Sequence, residues 1–366
     1  MAERVNVDPA MLFWALARAA RNARPGEPPK PRPAWLVSGN APTLEQLKKL
    51  ADDTQTPVGY FFLREPPVEE VPIPDFRTAG NQAAGEPSPN LLDTIYLCQN
   101  QQEWYRRYAV EEGVDQNLSV GSLPFGTPIA TAAAVIREAL SWDDAARMRC
   151  RNVDGARRYM IDAVEQIGIL VMISGIVGWN THRKLDPDEF RGLALTDRLA
   201  PLIFVNGADS KTAQIFTLIH ELCHVFSGDT ALSAADPSVR QGHAQEIWAN
   251  KVAADVLVPR GELIELWQRS DVETLATRFM ASEVVVLTSA LDAGLLEWDE
   301  YCLLCREAEA RSPNVLSHQA TKISPRFARA VITDTREGRT LFRDAYWLLG
   351  VAKQSAFDHL ADKVLA

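Results

Sequence analysis

The sequence predicts an α+β protein: a mostly helical chain of several domains built around one small sheet. Three observations carry that prediction. Apolar residues recur at helical spacing along much of the chain, as in Met11, Leu12, Trp14, Ala15 and Ala19. Helix-start chemistry precedes two such runs, at Asp8-Pro9 and at Thr43 with Gln46 three residues on. Short apolar runs bounded by turn residues, at 169–173 and 202–205, read instead as strands, with 192–195 as a third.

The elements follow in order. Residues 1–65 read as short helices. Asp8 can cap a helix that has Pro9 at its first position, where a missing amide donor costs nothing. Pro25, Pro28, Pro29, Pro31 and Pro33 put five prolines in nine positions, which forbids a regular helix there. Thr43 and Gln46 have the spacing of a capping box, and Leu44, Leu47, Leu50 and Ala51 form the apolar face behind it. Residues 66–90 are a linker by composition, and 91–155 form a helical segment. Residues 156–265 hold the predicted strands and helices over 210–226 and 243–257. Residues 266–366 close the chain as helices. Asp186, Asp188 and Glu189 read as a solvated helix start, because the glycine and spacing of a calcium loop are missing.

Composition narrows the function classes. A net charge of −10 argues against a protein that coats nucleic acid by bulk electrostatics. No apolar run reaches the roughly 18–20 residues that span a bilayer, and the N-terminus lacks the pattern of a secretory signal. Five scattered cysteines are not a disulfide framework and fit a reducing compartment. A cytoplasmic protein with no membrane partner is expected. Cys302 and Cys305 form a lone CxxC without the second pair of a structural zinc site, and read as a buried helix face.

The chemistry concentrates at His220-Glu221-Leu222-Cys223-His224. Four-residue separation puts both imidazoles on one helix face, a turn apart. Two nitrogens so placed can reach one Zn²⁺ at about 2.0–2.1 Å. Glu221 is rotated off that axis, so it can act on water as a general base instead of binding the metal, which is the HExxH arrangement. Such a string also arises by chance in helices. Here Phe216, Ile219, Cys223 and Phe226 make the flanks apolar, and a buried histidine pair needs polar partners that a metal supplies. Glu246, 22 residues after His224, opens an apolar helix that ends at Pro259 and is the candidate third ligand. Two histidines and a carboxylate leave one position for water. Asn250, one turn on, can hydrogen-bond a ligating histidine from outside. His243 is the rival third ligand, or a contact to the substrate.

Residues 190–195 (FRGLAL), 200–206 (APLIFVN), 216–224 (FTLIHELCH), 246–254 (EIWANKVAA) and 257–259 (LVP) together resemble the ImmA/IrrE family of metallopeptidases. The similarity is best over 165–265, and 327–331 with 338–341 resemble the C-terminal part of long members. The resemblance implies a zincin-like core, with His220, His224 and Glu246 as zinc ligands and Glu221 as catalytic base. It also implies a protein substrate: a partner transcriptional repressor in a stress, phage or mobile-element circuit. Cys223 departs from the small residue common before the second histidine, at a position that binds no metal.

The N-terminus resembles the lambda-repressor-like (XRE-type) helix-turn-helix of long members over 9–18, 35–39, 42–47 and 57–62. The proline run falls where that module places its inner helices, so the module is degenerate. DNA reading needs a helix seated in the major groove. Nine Lys/Arg stand against seven Asp/Glu through Glu65, which offers few phosphate contacts. Weak or no DNA binding is expected, with protein recognition as the module's main task.

Two readings follow. The first is a zinc endopeptidase acting on a repressor or other neighbouring-gene product. The alternative is a DNA-binding regulator or antitoxin-like protein in which the zinc domain is sensory or structural. An open coordination position beside Glu221 favours the first. The basic residues that the second needs on a recognition helix are scarce.

Overall fold

The computed structural model describes residues 4–22, 32–76, 86–240, 242–311 and 321–365, in two compact units. The first unit lies within Met1–Pro72 and Ala84–Ile95. Its helix α1 (Pro9–Ala20) starts as the sequence predicts, with the Asp8 carboxylate accepting from the Ala10 N–H at 2.8 Å. Next comes α2 (Ala34–Val37), a helix of four residues that follows Pro33. Then α3 (Leu44–Thr54) carries the full capping box. The Thr43 hydroxyl accepts from the Gln46 N–H at 3.2 Å, and the Gln46 side chain accepts from the Thr43 N–H at 2.9 Å. Met11, Leu12 and Ala15 of α1 pack with Leu47, Leu50 and Ala51 of α3 and with Phe61 from the 3₁₀ turn Val58–Phe62. Each large side chain so buried contributes roughly 1.5–3 kcal/mol, so this unit has a core of its own. A helix-turn-helix is not shown. Most of the proline run, Pro25 to Pro31, lies outside the described residues.

The stretch 66–90, expected as a linker, is held at two places that composition does not reveal. Glu69 accepts at 2.8 Å from Nε of Arg18, which is only 3% exposed, so a buried guanidinium anchors it within the first unit. Pro74 and Phe76 are tied into the second unit, as described below; 77–85 lie outside the described residues.

The second unit comprises Ile73–Ala83 and Tyr96–Ala366. Most of α4 (Pro89–Glu111) belongs to it, and α5 (Ile129–Ala139), α6 (Asp144–Arg149) and α7 (Val153–Gln166) follow. Three helices thus lie between α4 and the sheet along the chain. The sheet consists of β1 (Leu170–Ser174), β2 (Gly192–Leu195), β3 (Leu202–Asn206) and β4 (Ala231–Ser233), in the order β1-β3-β2-β4. β1 and β3 are parallel; the β3-β2 and β2-β4 pairs are antiparallel. Every strand residue is buried, which is why the first three strands read as continuous apolar runs and not as alternating ones. β4 was not expected: three residues carry no period. Short pieces of chain close both sheet edges. Lys322 exchanges backbone hydrogen bonds with Ile173, and Pro74 and Phe76 with Leu232.

Two helices carry the chemistry. α8 (Lys211–Ser227) packs against β2, β3 and α7, and against α9 (Ala244–Leu257). Beyond Pro259, α10 (Arg260–Leu266), α11 (Val272–Phe279), α12 (Glu283–Ala293) and α13 (Trp298–Arg311) extend the same core to Tyr301 and Ala308. The boundary expected at 265 therefore does not show in the packing. After it, α14 (Pro325–Arg336), α15 (Phe342–Leu349) and α16 (Gln354–Leu365) complete the chain. The acidic stretch at Asp186 forms a turn instead of a helix start: its carboxylate accepts the Asp188 N–H at 3.0 Å, a local bond that competes with helix. Among the described residues no single helix is long and apolar enough to cross a membrane. The α11–α12 pair passes such a test only together, across a bend of 104°.

Candidate metal centre

The local sequence fixes α8 at both ends. The Ser210 hydroxyl accepts from the Ala213 N–H, and Gly228 ends the helix at φ 84°, a conformation open to glycine. Between them, all thirteen residues from Gln214 to Phe226 are buried. On a helix this enclosed an unpartnered polar side chain is costly, and His220, Glu221 and His224 are among those it carries.

The two histidines, one turn apart, face the first turn of α9. Their Nε2 atoms are 3.2 Å apart. Glu246 reaches them from α9, with Oε2 at 3.3 Å from His220 Nε2 and Oε1 at 2.9 Å from His224 Nε2. His220, His224 and Glu246 are 0%, 1% and 6% exposed, and their ligand atoms lie close enough to hold one metal ion. The Ser233 hydroxyl on β4 donates to Glu246 Oε1 at 3.4 Å, so the sheet edge touches the same carboxylate. Burial works to raise the Glu246 carboxyl, but the two histidines outweigh it and hold the group at about 2. Burial lowers His224, with Glu246 opposing. The centre is thus a carboxylate facing two imidazole nitrogens.

Glu221 sits behind this group. It is fully buried, and neither carboxylate oxygen has a hydrogen-bond partner. Burial pushes its pKa well above the ordinary value and the charge of Glu246 adds to the rise; the Ser233 hydroxyl, near it but outside full hydrogen-bond geometry, opposes them. Gly192 makes room for it. A Cβ at that position would stand 2.6 Å from Glu221 Oε1 and 2.9 Å from Glu221 Cγ. The sequence signal that could have found it is a glycine opening an apolar strand run, which can mark a close approach.

Asn250 is buried one turn after Glu246, as expected, but its Oδ1 has no partner, and neither does Nδ1 of His220. Oδ1 of Asn250 thus makes no hydrogen bond to a ligating histidine here. His243 is exposed at the N-cap of α9, outside the His/His/Glu group, and its ring lies 4.9 Å from that of Phe76. The Phe76 centroid is also 6.2 Å from that of His224. Nothing in the sequence singled out Phe76, because its neighbours read as linker. Cys223 faces the core, fully buried, and burial raises its thiol. Cys302 and Cys305 lie on α13, half-buried, packed against the hydrophobic core.

Two stretches of the chain match family models. Residues 323–363 match the model of a domain of unknown function (DUF8813). No curated protein and no solved structure matches the chain. Residues 164–289, which contain the sheet and both metal-centre helices, match the model of the IrrE N-terminal-like domain, a peptidase family, and the match supports the ImmA/IrrE family and a metallopeptidase-type function for this part of the chain.

Proposed function

We propose that the chain is a zinc-dependent endopeptidase whose metal is held by His220, His224 and Glu246. The observation that carries this is the spacing of the donor atoms: the two Nε2 atoms are 3.2 Å apart, and the two Glu246 oxygens lie 2.9 Å from His224 Nε2 and 3.3 Å from His220 Nε2, one each. Tetrahedral Zn²⁺ with bonds of about 2.0–2.1 Å keeps its ligand atoms about 3.3 Å apart, so the set fits the ion. The donor chemistry fits too. Two imidazole nitrogens and a carboxylate converge on one buried point, where a cation relieves the crowding of acceptors.

When bound, zinc supplies a Lewis acid that polarises the scissile carbonyl and the attacking water. The chain's own residues do the rest. Glu221 is adjacent to the ligands but not among them, with both oxygens unpartnered, so it is placed to take a proton from the water and later pass it to the leaving amine. Gly192 leaves that carboxylate its space. The apolar walls of α8 exclude bulk water from the proton transfer.

The proposed substrate is a partner transcriptional repressor or other regulatory protein, which the first unit recruits through protein contacts with weak or no DNA binding. Co-expression of the chain with its neighbouring gene product tests the reading. Wild type cleaves the partner, while Glu221→Gln keeps the fold and the metal and leaves the partner whole. Equal cleavage by both forms would refute the role of Glu221.

A further inference from the structure

We propose that the segment Ile73–Phe76 is an internal cover of the metal centre, lying along the sheet edge that a peptide substrate must use; its substrate-blocking part rests on the peptidase reading above. The backbone carries the first part of the case. β4 ends the sheet, and an edge strand offers its free backbone groups to any extended chain. Here the chain's own segment takes the offer. The Leu232 N–H donates to the Pro74 carbonyl at 3.0 Å, and the Leu232 carbonyl accepts from the Phe76 N–H at 2.9 Å. Asp75 lies opposite Leu232 in a parallel bridge. Both backbone polar groups of Leu232 are therefore used, and an incoming peptide has to displace the segment to pair there.

The position is the second part. Leu232 is followed by Ser233, whose hydroxyl donates to Glu246, so this edge runs directly past the centre. Phe76 places its ring 4.9 Å from His243 and 6.2 Å from His224, centroid to centroid. Ile73, only 9% exposed, anchors the other end of the segment. Proline at 74 fixes φ and lowers the entropy that an extended segment loses on docking.

Closure is the third part. His220, Glu221, His224 and Glu246 are at most 6% exposed. These side chains are nearly closed to solvent, and the Phe76 ring packs beside His224 at the same place. The contacts of the Pro74–Phe76 stretch include the two backbone bonds at Leu232 and the Phe76 ring. A substrate strand that pairs with Leu232 and offers its own aromatic side chain replaces those.

The test uses the full chain loaded with zinc and compares wild type with Phe76→Ala and Phe76→Tyr. Three rates are read: amide hydrogen exchange at Leu232, stripping of zinc by EDTA, and cleavage of a quenched fluorescent peptide. Loss of the ring contact is expected to raise the first two about two- to tenfold in Phe76→Ala, the scale of one aromatic pair. Cleavage rises with them, Phe76→Tyr behaves as wild type, and a synthetic peptide of residues 70–76 added to Phe76→Ala slows exchange and stripping again. That rescue excludes a misfolded variant. Unchanged exchange and stripping in Phe76→Ala would overturn the cover and leave the peptidase reading standing. Faster exchange and stripping with no cleavage by any form would uphold the cover and refute the peptidase reading.

Discussion

Replacing Gly192 with alanine adds one methyl group next to the proposed catalytic base. The backbone of Gly192 is ordinary strand, so the added group strains nothing there. Its whole effect is steric. The new Cβ would lie 2.6 Å from Glu221 Oε1 and from Thr217 Cγ2, and 2.9 Å from Glu221 Cγ. Ordinary contact begins near 3.5 Å, so the carboxylate must retreat by about 0.9 Å. It has no solvent to retreat into, because Glu221 is fully buried. A displacement of about 1 Å at a reacting group costs about 100-fold in rate. Overpacking of this kind costs about 1–3 kcal/mol of stability, which lowers the melting temperature by a few degrees. Gly192→Ala is thus expected to keep its metal, to melt slightly early, and to lose about 100-fold in kcat/KM. The stability cost should shrink in a Glu221→Ala background, where only the Thr217 contact remains, and a double-mutant cycle measures that coupling. Wild-type activity together with a wild-type melting temperature would refute the steric reasoning. An equal cost of Gly192→Ala in both backgrounds would also refute it.

Two further predictions concern the ligand set and a buried carboxyl elsewhere. Glu246→Ala is expected to lose the metal and His243→Ala to keep it, because of these two Glu246 alone lies within ligand distance of both histidines; elemental analysis of the two variants decides, and the opposite pattern reassigns the third ligand. Glu165 is raised above the ordinary carboxylate value, chiefly by burial, although its Oε1 accepts the Val171 N–H at 2.9 Å. A carboxyl with a raised folded-state pKa stabilises fully below its unfolded value and loses that contribution as pH rises through the folded value. Glu165→Gln keeps an acceptor for Val171 and carries no charge, so its melting temperature should pull ahead of wild type as pH rises from about 4.3. A gap that stays constant with pH would contradict this.

Much of the site was legible because its signals are local. A histidine pair at i and i+4 shares a helix face wherever the helix lies, and the caps at Asp8 and Thr43 depend on neighbours three residues away or fewer. The three longer strands were legible because a sheet buried on both faces leaves an unbroken apolar run. What was missed depends on residues far apart in the chain. β4 has three residues and exists because Leu193 and Ala194 pair with it. The Glu69 and Phe76 contacts join a proline-rich stretch to Arg18 and to Leu232, and composition describes such a stretch only as irregular. Asn250 shows the converse limit. Its place on α9 was predictable from the spacing, but its hydrogen bonding depends on side-chain directions that spacing does not fix.

The central claim is that His220, His224 and Glu246 hold one metal ion between α8 and α9, and metal stoichiometry tests it most directly. The chain is purified after metal-replete expression, beside His220→Ala, and both are analysed for bound metals with circular dichroism as the check on folding. The account predicts one zinc per chain in the wild type and none in a folded His220→Ala. A wild type without metal, or a His220→Ala that retains a full equivalent of zinc, would contradict it.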